Sequence, residues 1–191
     1  MTAVPVAQQH MTADEFLAQP LGEGPRWQEL VEGEVVVNEP TARHNLAQGN
    51  LFAALHTWTR IRAGRGQVFI PLDVRLDDLN VFAPDISWYS ASNPVESDAQ
   101  PPYPRPDLAI EVRSPSTWRY DVGAKKGAYE RHGLPELWLV DTPAQGVLVF
   151  RRSEPGAREF DLALELARGD ALASPLLPDF SLALTELFET G

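Results

Sequence analysis

The stretch Asp107-Leu108-Ala109-Ile110-Glu111-Val112-Arg113 constrains this chain more than any other. Leu108, Ile110 and Val112 alternate with Ala109, Glu111 and Arg113, the period of a β-strand. That alternation sets Glu111 and Arg113 together on the face opposite the aliphatic residues. The segment is apolar enough to be buried, and a buried carboxylate is costly unless it is paired, hydrogen-bonded or bound to a metal. A second acid, Asp85, sits in another strand-like segment, Ala83-Pro84-Asp85-Ile86-Ser87. Two such acids, followed by a helix that carries Lys125 and Lys126, read as a site.

The chain has 191 residues, enough for one domain with a substantial core and no staples. It has no cysteine, which excludes disulfides, thiolate metal sites and cysteine nucleophiles and agrees with a cytoplasmic location. No apolar run approaches the roughly 20 residues that span a bilayer, so no membrane partner is expected. Residues 1–11 lack the cationic and apolar regions of a signal peptide and read as a loose leader to a single domain over 12–191. The formal net charge of −11 argues against a general nucleic-acid coat protein, whose affinity comes from Lys and Arg neutralising phosphates. It leaves room for a cleft of carboxylates that recruits divalent cations, with a local basic rim.

Thr12-Ala13-Asp14-Glu15 has the pattern of a capping box, so a short helix is expected from residue 12 to before Pro20. Trp27 to Val37 reads as a hairpin turning at Glu32-Gly33. Arg43 to Ala63 carries Ala47, Leu51, Leu55 and Trp58 at helical spacing, with Gly64 just past its end. Val68 to Leu76 and Pro84 to Ser90 are strand-like. The proline-rich segment from Asn93 to Pro106 is expected as a surface loop between the two acids, a candidate flap. After the Glu111 strand a helix is expected over Tyr120 to His132. Strands follow at Glu136–Asp141, Val147–Arg151 and Arg158–Leu166, and a last helix over Ser181–Phe188. This order indicates a mixed α/β or α+β domain.

Each candidate has an ordinary explanation beside the functional one. Asp85 and Glu111 could be unrelated acids paired to Arg75 or Arg113. Together with a nearby cation they match what phosphodiester hydrolysis needs: carboxylates for Mg²⁺ and a positive charge for the transition state. Lys126 reads as a solvated surface lysine. Lys125 shares a helical stripe with Asp121 and Tyr129 and could point back toward the strand ends, with Arg113 as its rival. Glu32 reads as solvated, whereas Glu29 or Glu34 could complete a metal shell. His44, at the start of the long helix, is most often structural at such a position. Trp88 and Trp138 read as core.

Several segments occur together and in order: Trp27-Gln-Glu-Leu-Val-Glu-Gly-Glu34, Pro84-Asp85-Ile-Ser, Pro106-Asp-Leu-Ala-Ile-Glu111-Val-Arg-Ser-Pro-Ser116, Asp121-Val-Gly-Ala-Lys125, Gly133-Leu-Pro-Glu-Leu-Trp-Leu-Val-Asp141 and Leu177-Pro-Asp-Phe-Ser-Leu. With them the chain resembles the Uma-type restriction endonuclease family of the PD-(D/E)XK nuclease superfamily, from about residue 11 to 189. The resemblance implies a restriction-endonuclease-like core, a mixed sheet flanked by helices. It implies that Asp85 and Glu111 are the two acids of the motif. The motif's lysine is expected two residues after Glu111, where this chain has Arg113; the resemblance implies that its role has moved to Lys125. Glu29 and Glu34 match the family's hairpin motif and His44 its histidine.

The leading expectation is therefore a Mg²⁺-dependent DNA endonuclease, with Mn²⁺ as a substitute. Asp85 and Glu111, with Glu29 or Glu34, would hold the metal, Lys125 or Arg113 would supply the cation, and His44 would be accessory. The alternative is a catalytically silent nucleic-acid- or protein-binding module on a nuclease scaffold. A weaker third reading is a two-carboxylate hydrolase such as a glycosidase. A homodimer is expected from the apolar residues Leu134 to Trp138 and Leu182, Leu184, Leu187 and Phe188.

Overall fold

A computed structural model describes residues 10–19 and 27–190. The leader expected over 1–11 lies, up to residue 9, outside the described residues. The Thr12 side chain accepts from the Glu15 N–H and Glu15 returns a bond to the Thr12 N–H, which starts α1 (Ala13–Leu17). β1 (Gln28–Val31) and β2 (Glu34–Val37) form a hairpin whose two-residue turn, Glu32-Gly33, has φ of 51° and 79°. Positive φ at both positions matches the right-handed twist of the flanking strands, and the glycine adopts it without strain. α2 (Ala42–Ile61) is capped by Thr41 and ends before Gly64.

The expected strand over Val68–Leu76 is two strands in two different sheets: β3 (Gln67–Phe69) and β4 (Val74–Asp77). The segment is rich in apolar residues, but Pro71 lies inside it, and proline cannot donate to a ladder. β5 (Asn80–Phe82), β6 (Ile86–Tyr89) and β7 (Leu108–Val112) follow. The helix expected after β7 is built in three parts: α3 (Trp118–Tyr120), a π turn (Asp121–Lys125) and α4 (Lys126–Arg131). The chain then forms β8 (Glu136–Asp141), β9 (Gly146–Arg151), β10 (Leu162–Leu166), β11 (Ala171–Leu172), β12 (Leu182–Ala183) and a one-turn α5 (Leu184–Leu187).

The central sheet has six strands in the order β10-β9-β8-β7-β6-β3, antiparallel except for the β7–β8 pair. A parallel pair needs a crossover, and α3, the π turn and α4 supply it. Ala47, Leu51, Leu55 and Trp58 of α2 cover one face with Ile86, Leu108, Ile110, Val112 and Trp138. Ala128, Tyr129 and Leu134 cover the other with Ala109, Leu137 and Leu139. Both faces being covered, β7 and the first five residues of β8 are buried throughout. A second sheet, β2-β1-β5-β4, packs Val31, Val36 and Phe82 onto the α4 side.

Two expectations are corrected by this topology. The proline-rich segment joins the end of β6 to the start of β7, so it lies at the opposite strand ends from Asp85 and Glu111 and is no flap over them. It is tied down, with both Val95 backbone groups bonded to the Gln67 amide and the Tyr103 N–H donated to the Asp73 carbonyl. Leu134, Leu137, Trp138, Leu182, Leu184 and Leu187 are core residues, so they offer no exposed patch for the expected homodimer.

Candidate active site

The last register pair of β6 and β7 is Ile86 with Ile110, so Asp85, just before β6, and Glu111 lie at the same end of this strand pair. Asp85 has left the ladder: its Oδ2 accepts the Val112 N–H at 2.7 Å. Its Oδ1 lies 3.1 Å from Nε2 of His44, in the first turn of α2, and its backbone carbonyl accepts from the Gln48 amide. Asp85 thus fastens the end of the sheet to the start of the long helix.

Glu111 faces the crossover. Its Oε1 lies 2.8 Å from the Lys125 ammonium and accepts the Tyr129 hydroxyl, also at 2.8 Å. Lys125 donates to both oxygens of Glu29, at 2.8 and 2.9 Å, and sits 3.2 Å from Oδ1 of Asp121. Glu29 also accepts the Ala83 N–H. The π turn is what places Asp121 and Lys125 on the inner side together: both are buried, Lys125 being 1% exposed. Such turns recur at functional sites because they re-aim side chains without ending the helix.

Three carboxylates surround one ammonium, so the buried cluster holds more negative charge than its cation neutralises. Burial pushes the Glu111 carboxyl well above the usual range, and Glu29, Asp121 and Asp85 add to this against the pull of Lys125. Asp121 is likewise pushed up to about 6, by burial first and Glu29 next, again against Lys125. Burial works against the Lys125 charge, but Glu111, Glu29 and Asp121 outweigh it and hold the ammonium well above its ordinary value. His44 is similar: burial lowers it, while the bond to Asp85 and its charge raise it above the ordinary histidine value.

The expected site residues are thus divided. Asp85, Glu111, Lys125, Glu29 and His44 meet at one end of the sheet. Arg113 does not join them: its guanidinium pairs with both oxygens of Asp141, at 3.0 and 2.9 Å, and lies over the Trp118 ring. Glu34 shares the Glu29 face of the hairpin but stands two rungs nearer the turn, exposed, within 3.5 Å of the Tyr120 hydroxyl. Glu29 is turned to Lys125 rather than to an open coordination position. Asp85 and Glu111 remain as carboxylates for a divalent ion. Hard oxygen donors of this kind fit Mg²⁺, which takes one or two carboxylates and completes its shell with water and phosphate. A cage with three protein ligands is not built: no group of three or more His, Asp or Glu among the described residues is arranged to hold a metal.

A cleft lined by Trp27, Glu29, Asn38, His44, Gln48 and Asp85 opens onto the site. A second groove runs beside it, lined by Thr41, Arg43, Arg113, Pro115 and Thr142.

Residues 13–185 match the sequence model of the Uma2 family, described as "Putative restriction endonuclease". The chain belongs to the Uma2 family. Its fold is similar to the crystal structure of a "putative nuclease belonging to DUF820" from Anabaena variabilis. The TM-score is 0.76 at 23% identity, over 93% of this chain and 97% of that one. No curated protein matches the chain. In this Uma2 member, sequence reasoning assigned no role to Asp121, Tyr129 or Gln48. The first two lay on the Lys125 stripe, which was the available signal. Gln48 carried none, because its partner is a backbone carbonyl.

Proposed function

We propose that this Uma2 protein is a Mg²⁺-dependent DNA endonuclease, with Mn²⁺ able to replace Mg²⁺. The observation that carries the reading is the Lys125 ammonium 2.8 Å from Glu111, at the strand end where Asp85 also lies. An acid pair with a fixed cation at one strand end is what hydrolysis of a phosphodiester requires, and family membership supports a nucleic-acid substrate. Asp85 and Glu111 would hold the ion, which when bound supplies an acidified water and a Lewis acid for the phosphoryl oxygen.

The residues of the chain supply the rest. Lys125 holds the Glu111 carboxylate in place and sets a fixed positive charge behind it, which favours the charge gained as the water oxygen bonds to phosphorus and the bond to the 3′ oxygen breaks. Glu29 and Asp121 keep that ammonium protonated and immobile. Tyr129 fixes one Glu111 oxygen and so orients the other. Arg43 and Arg113, on the neighbouring groove, suit the flanking phosphates and provide the local basic rim that a chain of net charge −11 needs. The products would be 5′-phosphate and 3′-hydroxyl ends.

The test is incubation with supercoiled plasmid, single-stranded DNA and RNA in Mg²⁺, Mn²⁺ or chelator. DNA cleavage that needs the metal and is lost in Asp85→Asn and Glu111→Gln is the expected result. Absence of cleavage of any of the three overturns the enzyme in favour of a binding scaffold.

A further inference from the structure

Two-ion nucleases hold a pair of cations roughly 3.5–4 Å apart with bridging and terminal carboxylates. This chain has enough acids for such a site: Asp85 and Glu111, with Glu29 and Asp121 close by. The geometry points to a different arrangement. We propose that the site takes a single divalent ion, and that the Lys125 ammonium permanently fills the place of a second.

The argument lies in what surrounds Nζ. Glu111 Oε1 at 2.8 Å, the two Glu29 oxygens at 2.8 and 2.9 Å and Asp121 Oδ1 at 3.2 Å converge on it from three elements: β7, β1 and the π turn. These are the hard oxygen donors a second ion would use. The Lys125 side chain is 1% exposed and that of Glu29 5%, so the ammonium is enclosed by the carboxylates it pairs with. The Phe82 ring, 5.4 Å from Nζ, closes the cluster on another side. Asp121 Oδ1 has no hydrogen bond besides this ion pair, while its Oδ2 accepts the Thr117 hydroxyl, so the carboxylate is held with Oδ1 toward the ammonium. A divalent ion among these acids would face a fixed positive charge at contact distance. Asp85 bonds to His44 and the Val112 N–H and not to Lys125, so the donors left for an ion are the remaining lone pairs of Asp85 and the Glu111 oxygen that Lys125 and Tyr129 do not use. The inference rests on the metal-dependent reading above and adds the stoichiometry and the reason for it.

The test is titration of the full chain with Mn²⁺, followed by electron paramagnetic resonance, up to about a thousandfold excess over the wild-type Kd. That excess keeps a site filled even after the roughly 10–100-fold loss an outer-sphere change can cause. One uncoupled ion per chain is expected. Two ions, or the broadened signal of a coupled pair, overturn the inference. No bound ion overturns the metal-dependent reading itself, a distinct outcome. Lys125→Met should bind a second ion, because three carboxylates then lose their cation; a folded variant that still binds one ion overturns the role given to Lys125. If that variant does not fold, Glu29→Gln decides. It should keep its one ion, and loss of the ion identifies Glu29 as a metal ligand and overturns the inference.

Discussion

Lys125 bonds both carboxylate oxygens of Glu29, at 2.8 and 2.9 Å, across 96 positions of chain. Neither side chain has an exposed face, and each brings a second obligation: Glu29 to the Ala83 N–H, Lys125 to Glu111 and Asp121. The stability of this corner is therefore asymmetric between the two partners.

Removing the ammonium should cost far more than removing the acid. Lys125→Met leaves three buried carboxylates without a cation, and breaking a buried pair in this way costs about 3–5 kcal/mol. Glu29→Gln leaves Lys125 with two carboxylates and relieves excess negative charge, so its cost should stay near 1 kcal/mol, that of about one hydrogen bond. Urea unfolding at pH 7.5 compares them, and equal losses would contradict the excess of negative charge.

Asp121 makes stability depend on pH with an unusual sign. Its carboxyl is raised from the ordinary 3.8 to about 6 in the fold. The native state therefore binds this proton more readily than the unfolded state, and stability falls as pH rises from about 4 to about 6, levelling above that. Asp121→Asn lacks this contribution. The stability of the variant relative to wild type should rise across the same window, measured as the urea midpoint at half-unit steps. A difference that is flat with pH would falsify the assignment.

His44 should report the state of Asp85. With the acid present its pKa stands above the ordinary value: burial lowers it, but the bond to Asp85, the charge of Asp85 and the backbone bonds to Arg113 and Val112 together outweigh burial. The stability it contributes is complete below the unfolded histidine pKa and is lost as pH rises through the folded one. Asp85→Asn removes the charge of the acid against the burial of the ring, and the pKa should fall. Histidine ring resonances followed by NMR from pH 5 to 8 give both values, and an unchanged His44 would remove Asp85 as its partner.

Lys125 and Arg113 should separate in kinetics. Lys125 touches Glu111, whereas Arg113 is held by Asp141 and Trp118. In a Mg²⁺-dependent cleavage assay Lys125→Ala should lower kcat by about 10²–10³, the usual loss when one charge-stabilising group is removed. Arg113→Ala should act mainly on KM. The reverse order transfers the stabilising role to Arg113.

Arg43 should contribute to binding rather than to chemistry. It is exposed on the groove beside the site, at the start of α2. If it contacts one phosphate, Arg43→Ala on a Glu111→Gln background should reduce the slope of log K against log salt by about 1. Duplex DNA binding followed by fluorescence anisotropy at several salt concentrations gives the slope, and an unchanged slope excludes the contact.

What the sequence by itself determined is local. The capping box at Thr12, the Glu32-Gly33 turn, the α2 stripe and the β7 alternation are each caused by residues within a few positions of one another, and all are found in the structure. The acids Asp85 and Glu111 were legible because a charged residue in a strand of buried character demands a partner. The identity of the partners was not legible. Glu29 and Glu34 belong to one hairpin motif and share a face, yet only Glu29 reaches Lys125, because the register puts Glu34 two rungs toward the turn, beside Tyr120. Val68 to Leu76 reads as one strand-like segment, and its division between two sheets depends on strands that pair with it from other parts of the chain. Likewise the apolar C-terminal residues are indistinguishable in sequence from an interface patch until β11 and β12 fold them against α2. Local pattern specifies which face of an element is buried, but only the topology specifies what that face meets. The cluster around Lys125 is built from β1, β7 and the π turn, and it exists only once the parallel crossover has brought those three together.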